Sequence, residues 1–282
     1  MSGHAMFDTA GPRARRRIRL LSALSVVVIV GVLGLGYYQF YASGALAPST
    51  WLTFTRPATL GYLWGALLNT LAAAAVAGIA AVPLGLLLAL GRLSPLRVLR
   101  WPSVAVIELF RAVPVLLVIY VFMFALPLYG IQVSTFAKLV LPIALCAAAT
   151  LAEVFRAGVL ALPRGQREAG LAVGLTEGQA FRLVVFPQAL RITIPALVAQ
   201  AVIVVKDTAF GYVVSYPELL QSGRVLIANT GDLVQTYIVV TVVYVLVNMA
   251  LSACARALDR RLARRGAPAR VSLGSRRVGG MA

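Results

Sequence analysis

Leu162-Pro163-Arg164-Gly165-Gln166-Arg167-Glu168-Ala169-Gly170, continuing to Gly174 and closing on Phe186-Pro187-Gln188, is the longest polar interruption between the two ends of an otherwise apolar chain. Apolar runs long enough to cross a bilayer flank it on both sides. Five arginines belong to it if Arg156 and Arg191 at its edges are counted. Such an insert has no lipid to face, so it meets water or another protein, and its positive charge puts it on the cytoplasmic side. Its local chemistry is helical. Gly165 precedes a run of good helix formers from Gln166 to Val173, and Gly174 stands where a left-handed glycine would close that helix. Thr176 and Gln179 have the spacing of a capping box that opens a second helix. Pro187 is expected to end or kink it. The small residues Ala169, Gly170 and Ala172 would let another protein's backbone approach closely. The plain alternative is an ordinary cytoplasmic loop with helical character.

Working outward, the 282 residues are 60% hydrophobic and only 12% charged. That balance excludes a soluble domain of this length and predicts an all-α, multispan helical membrane protein. The net charge of +17 would suit nucleic-acid binding, but its distribution argues against that partner. Twenty-one of the 26 basic residues collect on one side if both termini are cytoplasmic: five at the N-terminus, three in the first inner loop, five around the insert and eight in the tail. This is the pattern of the positive-inside rule. The other five are Arg56, Arg111, Lys138, Lys206 and Arg224.

Residues 1–19 form a basic cytoplasmic N-terminus, expected to be disordered near anionic headgroups. Residues 20–41 form a first span, about 33 Å long at helical rise, with a cleaved signal peptide as its rival reading. A core over residues 60–258 holds five more spans: about Tyr62–Leu90, Ser103–Leu126, Ser134–Leu162, Ile192–Val214 and Leu233–Leu258. The polar insert, residues 163–190, lies between the fourth and fifth of the six spans. An outer segment at 215–232 has room for a short helix at Pro217–Ser222. Residues 259–282 form a basic cytoplasmic tail. Cys146 and Cys254 fall inside apolar runs and read as packing residues, not a disulfide or a metal pair. No metal site is expected, and His4 carries no argument. No G-x-x-x-x-G-K-[ST] phosphate loop occurs, so no ATP is bound by that route.

Glu168-Ala169-Gly170, Gly174, Val184 and Phe186-Pro187 resemble the EAA signature of membrane subunits of type I ATP-binding-cassette importers: E-A-A, three residues, G, nine residues, I, one residue, L-P. The spacing matches throughout, with Gly170 for the third alanine, Val184 for isoleucine and Phe186 for leucine. The resemblance implies that the insert is a coupling helix docking on a separate ATPase through Gly165, Gln166, Glu168, Ala169, Gly170, Gly174 and Pro187. It implies an extracytoplasmic solute-binding protein and a second permease subunit, identical or sister, in the same bacterial cytoplasmic membrane. ATP and Mg would sit on the partner ATPase, with no cofactor on this chain.

Buried charge marks the remaining candidates, because each charge at mid-membrane costs about 2.5–3.5 kcal/mol on insertion scales. Lys206-Asp207-Thr208 lies inside the fifth core stretch. Neighbours on a helix point about 100° apart, so Lys206 and Asp207 do not neutralise each other face to face. The run resembles the K-D-T/S-S-L element of the polar amino-acid branch, with Ala209-Phe210 in place of Ser-Leu. It reads either as lining of the translocation path or as a structural ion pair. Glu108 and Arg111, three apart, share a helix face. Arg111-Ala112-Val113-Pro114 resembles the branch's R-G-T-P, with Val118 where a glutamine usually stands. Path contact and interfacial anchor are the two readings. Glu153 and Arg156 lead to Gly158, Pro163, Gly165 and Gln166, like the family's run into the coupling helix, and read as a stabilised bend. Asn69-Thr70-Leu71 and Leu84-Gly85 through Arg92 extend the likeness, which covers about Gly65 to Leu258. The sequence is similar to glutamate-type permeases of Gram-positive high-GC bacteria, which also carry an extra first span. The expected function is half of the membrane path of a polar amino-acid importer, with glutamate, aspartate or a related amino acid as the expected cargo. The alternatives are a self-sufficient secondary carrier using Lys206 and Asp207 as an ion relay, or an importer permease for another small solute.

Overall fold

The computed structural model describes residues 11–266, with side chains through residue 257. The expectations placed on 1–10 and 267–282, including Arg270, Arg276 and Arg277, lie outside the described residues. Within them there is helix and turn but no strand.

Helix α1 runs Pro12–Ala42 and begins inside the basic stretch, where disorder was expected up to Arg19. Pro12 suits a first helical position, and the run behind it holds no breaker. None of the residues in its apolar window is buried. A 3-10 helix, Pro48–Thr55, leads into α2, Pro57–Leu93. Then come α3, Arg97–Ala112, and α4, Val115–Leu128, whose axes differ by 101°. The third span was expected to be one helix from Ser103 to Leu126. Pro114 prevents that: it lacks an N–H and forces Val113 into extended backbone (φ −90°, ψ 126°). Among the described residues, five helices are long and apolar enough to cross a membrane, or six if the bent pair counts as one span.

Helix α5, Thr135–Leu160, is the centre of the bundle. It packs along α2, with α3, α4 and α8 around it. The α2 face against it is a stripe of small residues at every fourth position: Ala73, Ala77, Ala81, Gly85 and Ala89, each buried. Residues four apart share a face, and small ones let backbones approach. At Gly85 the approach is closest. A Cβ there would stand 2.8 Å from the Ala148 carbonyl oxygen and 2.8 Å from Leu151 Cβ.

After the insert the chain forms α8, Phe186–Asp207, then tightens to 3-10 over Thr208–Tyr212. Helix α9, Leu219–Thr230, is twice as long as the short helix expected at Pro217–Ser222 and starts later. It returns to α10, Leu233–Gly266, through Gly231 (φ +77°). Its buried start is held from three directions. The Glu218 carboxylate accepts from the N–H groups of Leu220 (2.8 Å) and Gln221 (2.7 Å) and from the Tyr244 hydroxyl of α10 (2.8 Å). The Leu219 N–H donates to Thr70 Oγ1 of α2 (3.0 Å), and Asn69 Nδ2 donates to the Pro217 carbonyl (2.9 Å). Thr70 lies thirteen residues into α2 and Tyr244 eleven into α10, so α9 begins about 17–20 Å below the ends of those helices. That is near the middle of a bilayer. The predicted outer segment is therefore a half-length helix sunk among the spans.

Glu218 is fully buried. Glu218→Ala is expected to destabilise the protein by about 2–4 kcal/mol, combining a lost N-cap with unpaired donors. Thermal unfolding in detergent measures it, and a midpoint equal to wild type would contradict the bolting role.

Candidate coupling hairpin and charged clusters

The polar insert folds as α6, Arg164–Ala172, a tight turn, and α7, Glu177–Ala180. Gly174 has φ +89°, the left-handed conformation expected of it. The Leu175 N–H reaches the Gly170 carbonyl (3.2 Å) and the Gly174 N–H reaches Leu171 (3.0 Å), the paired bonds of a Schellman closure. The capping box is formed: the Gln179 N–H donates to Thr176 Oγ1 (3.4 Å), and the Thr176 N–H donates to Gln179 Oε1 (2.9 Å).

Pro187 does not end the second helix. A π turn over Phe181–Val185 precedes it, and α8 runs on from Phe186. A proline withholds one N–H from the ladder, and widening the preceding turn accommodates the loss. Gly170 also differs from expectation. It is buried against Ala180, whose Cβ would lie 3.1 Å from an added Cβ. It therefore closes the hairpin on itself and presents no surface to a partner. Glu168 and Ala169 are exposed, as are Gly165 and Pro187. The hairpin is braced by Arg167 on Glu177 (Nε to Oε2, 2.8 Å) and by Gln188 Nε2 donating to Gln166 Oε1 (3.0 Å). The second bond links α6 to the root of α8. The insert is thus a compact body fixed to a span, with Glu168 in no ion pair among the described residues.

A second cluster gathers four of the sequence candidates. Arg92, at the end of α2, sits 2.8 Å from Glu108 Oε1 on α3 and 2.9 Å from Glu153 Oε1 on α5. Glu108 also faces Arg111 at 3.7 Å, and Glu153 Oε2 accepts from Arg156 Nε (3.0 Å) and Nη2 (2.9 Å). The Arg92–Glu153 contact is close but poorly aligned for a hydrogen bond, leaving Glu153 Oε1 without a formal donor. Three helices are held by one alternating chain of charge. The two pairs looked separate in the sequence, and Arg92 was the member it did not identify.

Lys206, Asp207 and Thr208 are not joined to that cluster. Lys206 is exposed, Asp207 half-buried and Thr208 buried. The Thr208 hydroxyl donates to the Val205 carbonyl (2.7 Å) at the point where α-helix gives way to 3-10. Lys206 and Asp207 form no ion pair with each other or with any other described residue. Val118, where the branch usually has glutamine, is buried. Cys146 is half-buried, but Cys254 is exposed on α10 and is no core residue. No group of His, Cys, Asp or Glu suited to a metal ion occurs among the described residues.

The sequence alone marks no site role for Glu218, Arg92 or Arg224. A signal was available for the first: only nine acidic residues occur in the whole chain, so each one in an apolar stretch calls for a partner.

Comparison with known proteins places these features. The family model described as "Binding-protein-dependent transport system inner membrane component" matches residues 81–264. The chain is 37% identical over 218 residues to a protein of Corynebacterium glutamicum named "Glutamate transport system permease protein GluD", covering 76% of each. It is 33% identical over 244 residues to the "Glutamate/glutamine/aspartate/asparagine transport system permease protein BztC" of Rhodobacter capsulatus, covering 83% of this chain and 56% of that one. Among solved structures, the one titled "Crystal structure of an amino acid ABC transporter with histidines" superimposes with a TM-score of 0.69 at 26% identity, over 72% of this chain and 94% of the other.

Proposed function

This chain belongs to the family of binding-protein-dependent transport system inner membrane components and is the permease of an amino-acid ABC importer, and we propose that its cargo is glutamate, aspartate or a related polar amino acid. The observation that carries the coupling role is the insert: a braced hairpin, rigidly joined to α8, with an exposed and unpaired Glu168. A separate ATPase, carrying the ATP and Mg, grips that hairpin. When the ATPase closes, the hairpin moves as one body, and the Gln166–Gln188 bond and the π turn pass the movement into α8. The path then alternates between access from outside and from inside. The chain makes and breaks no covalent bond.

An extracytoplasmic solute-binding protein delivers the cargo, and a second permease, identical or sister, completes the path. The basic ends and the insert lie in the cytoplasm, with the protein in the bacterial inner membrane. This orientation keeps Arg92, Arg156 and the hairpin arginines in water or at the interface. Lys206 and Asp207 line the path at the break after α8, Thr208 shapes that break from within, and the Arg92 cluster holds α2, α3 and α5 together at its inner end.

The test is uptake of labelled L-glutamate by proteoliposomes holding the permeases, the ATPase and the binding protein. The expected result is uptake that requires ATP. Uptake by the permease alone on an ion gradient would overturn this reading in favour of a secondary carrier.

A further inference from the structure

Where α8 gives way to α9, Tyr212, Ser215, Gln221, Arg224, Val225 and Ala228 surround an open cavity of about 390 Å³. Its size falls within the range of small-molecule sites. Its walls are polar: the Tyr212 phenol and the Ser215 hydroxyl, from the turn after α8, meet the Gln221 amide and the Arg224 guanidinium of α9. We propose that this cavity is a carboxylate subsite on the translocation path, with Arg224 as the group that takes the acidic end of the amino acid in transit. The proposal rests on the amino-acid reading above.

Four observations point there. Arg224 stands six residues beyond the buried Glu218 anchor, about 9 Å along α9 toward the outer end. An arginine at that depth faces a cavity or a partner more cheaply than it faces lipid. Among the described residues it has no acidic partner. Its guanidinium carbon lies 5.1 Å from the Tyr212 ring centroid, so one face is covered by the ring while its N–H edges stay free. A planar guanidinium fork with free N–H edges can meet a carboxylate with two parallel hydrogen bonds. Finally, Ser215 is the one described non-glycine residue with positive φ, at 56°. Strain of that kind persists where the surroundings impose it, often at ligand sites.

The anchors of α9 favour the same assignment. Its N-terminus already holds the Glu218 carboxylate, so the helix dipole is satisfied from within and is no site for cargo. Those bonds to α2 and α10 fix the Arg224 face of the helix while α8 moves.

The experiment is equilibrium binding of labelled L-glutamate and L-glutamine to the purified permease–ATPase complex, without binding protein, for wild type, Arg224→Gln and Arg224→Lys. Arg224→Gln is expected to weaken binding at least tenfold. Arg224→Lys keeps the charge but not the fork, and is expected to lose less. A loss confined to glutamate assigns the side-chain carboxylate, and an equal loss for both probes assigns the α-carboxylate. The unfolding midpoint, expected to match wild type in both variants, separates a lost ligand contact from a lost fold. Equal binding by all three proteins overturns the subsite. So does a wild-type complex that transports both probes but binds neither, and either result leaves the amino-acid reading intact. A wild-type complex that, supplied with ATP and binding protein, transports no polar amino acid overturns that reading, and the subsite falls with it.

Discussion

Leucine in place of Gly85 is expected to abolish the assembled permease. The position lies on the α2–α5 seam, and a single added carbon would stand 2.8 Å from both the Ala148 carbonyl oxygen and Leu151 Cβ. Neither atom is the end of a flexible side chain, so the helices themselves must separate. Overpacking in a core commonly costs about 1–3 kcal/mol and more where backbone has to shift. Here the separation also pulls on Arg92, seven residues along α2, and on its contacts with Glu108 and Glu153. Gly65→Leu is the control, since nothing lies within 4 Å of its added carbon. Size-exclusion chromatography of detergent-extracted protein reads the difference. A monodisperse Gly85→Leu permease with a wild-type unfolding midpoint would show that this seam does not organise the bundle.

The second large effect is expected at the hairpin. Glu168→Lys changes an exposed, unpaired residue and leaves the Schellman turn, the capping box and the Arg167–Glu177 pair in place. Gly174→Val acts in the opposite way. A β-branched residue at φ +89° carries a strain of about 1–2 kcal/mol, and the turn that sets the angle between α6 and α7 is lost. Both are expected to reduce ATP-driven uptake at least tenfold while membrane insertion stays normal. Only Gly174→Val is expected to loosen the hairpin to limited proteolysis. Uptake within twofold of wild type in both variants would remove the coupling role from this segment.

The hairpin was the most legible part of the sequence because its determinants are local. Thr176 and Gln179 are three residues apart, and Gly174 needs only the helix before it to fix its conformation. The long spans were legible from length and apolarity. What the sequence concealed depends on contacts distant in the chain. Residues 219–230 read as an outer segment with room for only a short helix because their anchors, Thr70 and Tyr244, lie on helices far away in sequence. Arg92 read as a loop charge until α3 and α5 brought Glu108 and Glu153 to it. The stripe from Ala73 to Ala89 was visible as a period of four, but alanine and glycine score as merely apolar in a span. Pro114 sits inside a largely apolar run, so hydropathy alone reads one span where the proline separates two helices. Gly170 was assigned to the exposed face because small residues suit an interface, whereas the fold uses its smallness inward, against Ala180.

The direct test of the hairpin's role is a photo-crosslinking residue placed at position 168, in cells that also express the cognate ATPase. Capture of the ATPase, with position 168 shielded from impermeant reagents added to intact cells, is the predicted result. Labelling of position 168 from the external medium, with no ATPase captured, would contradict it.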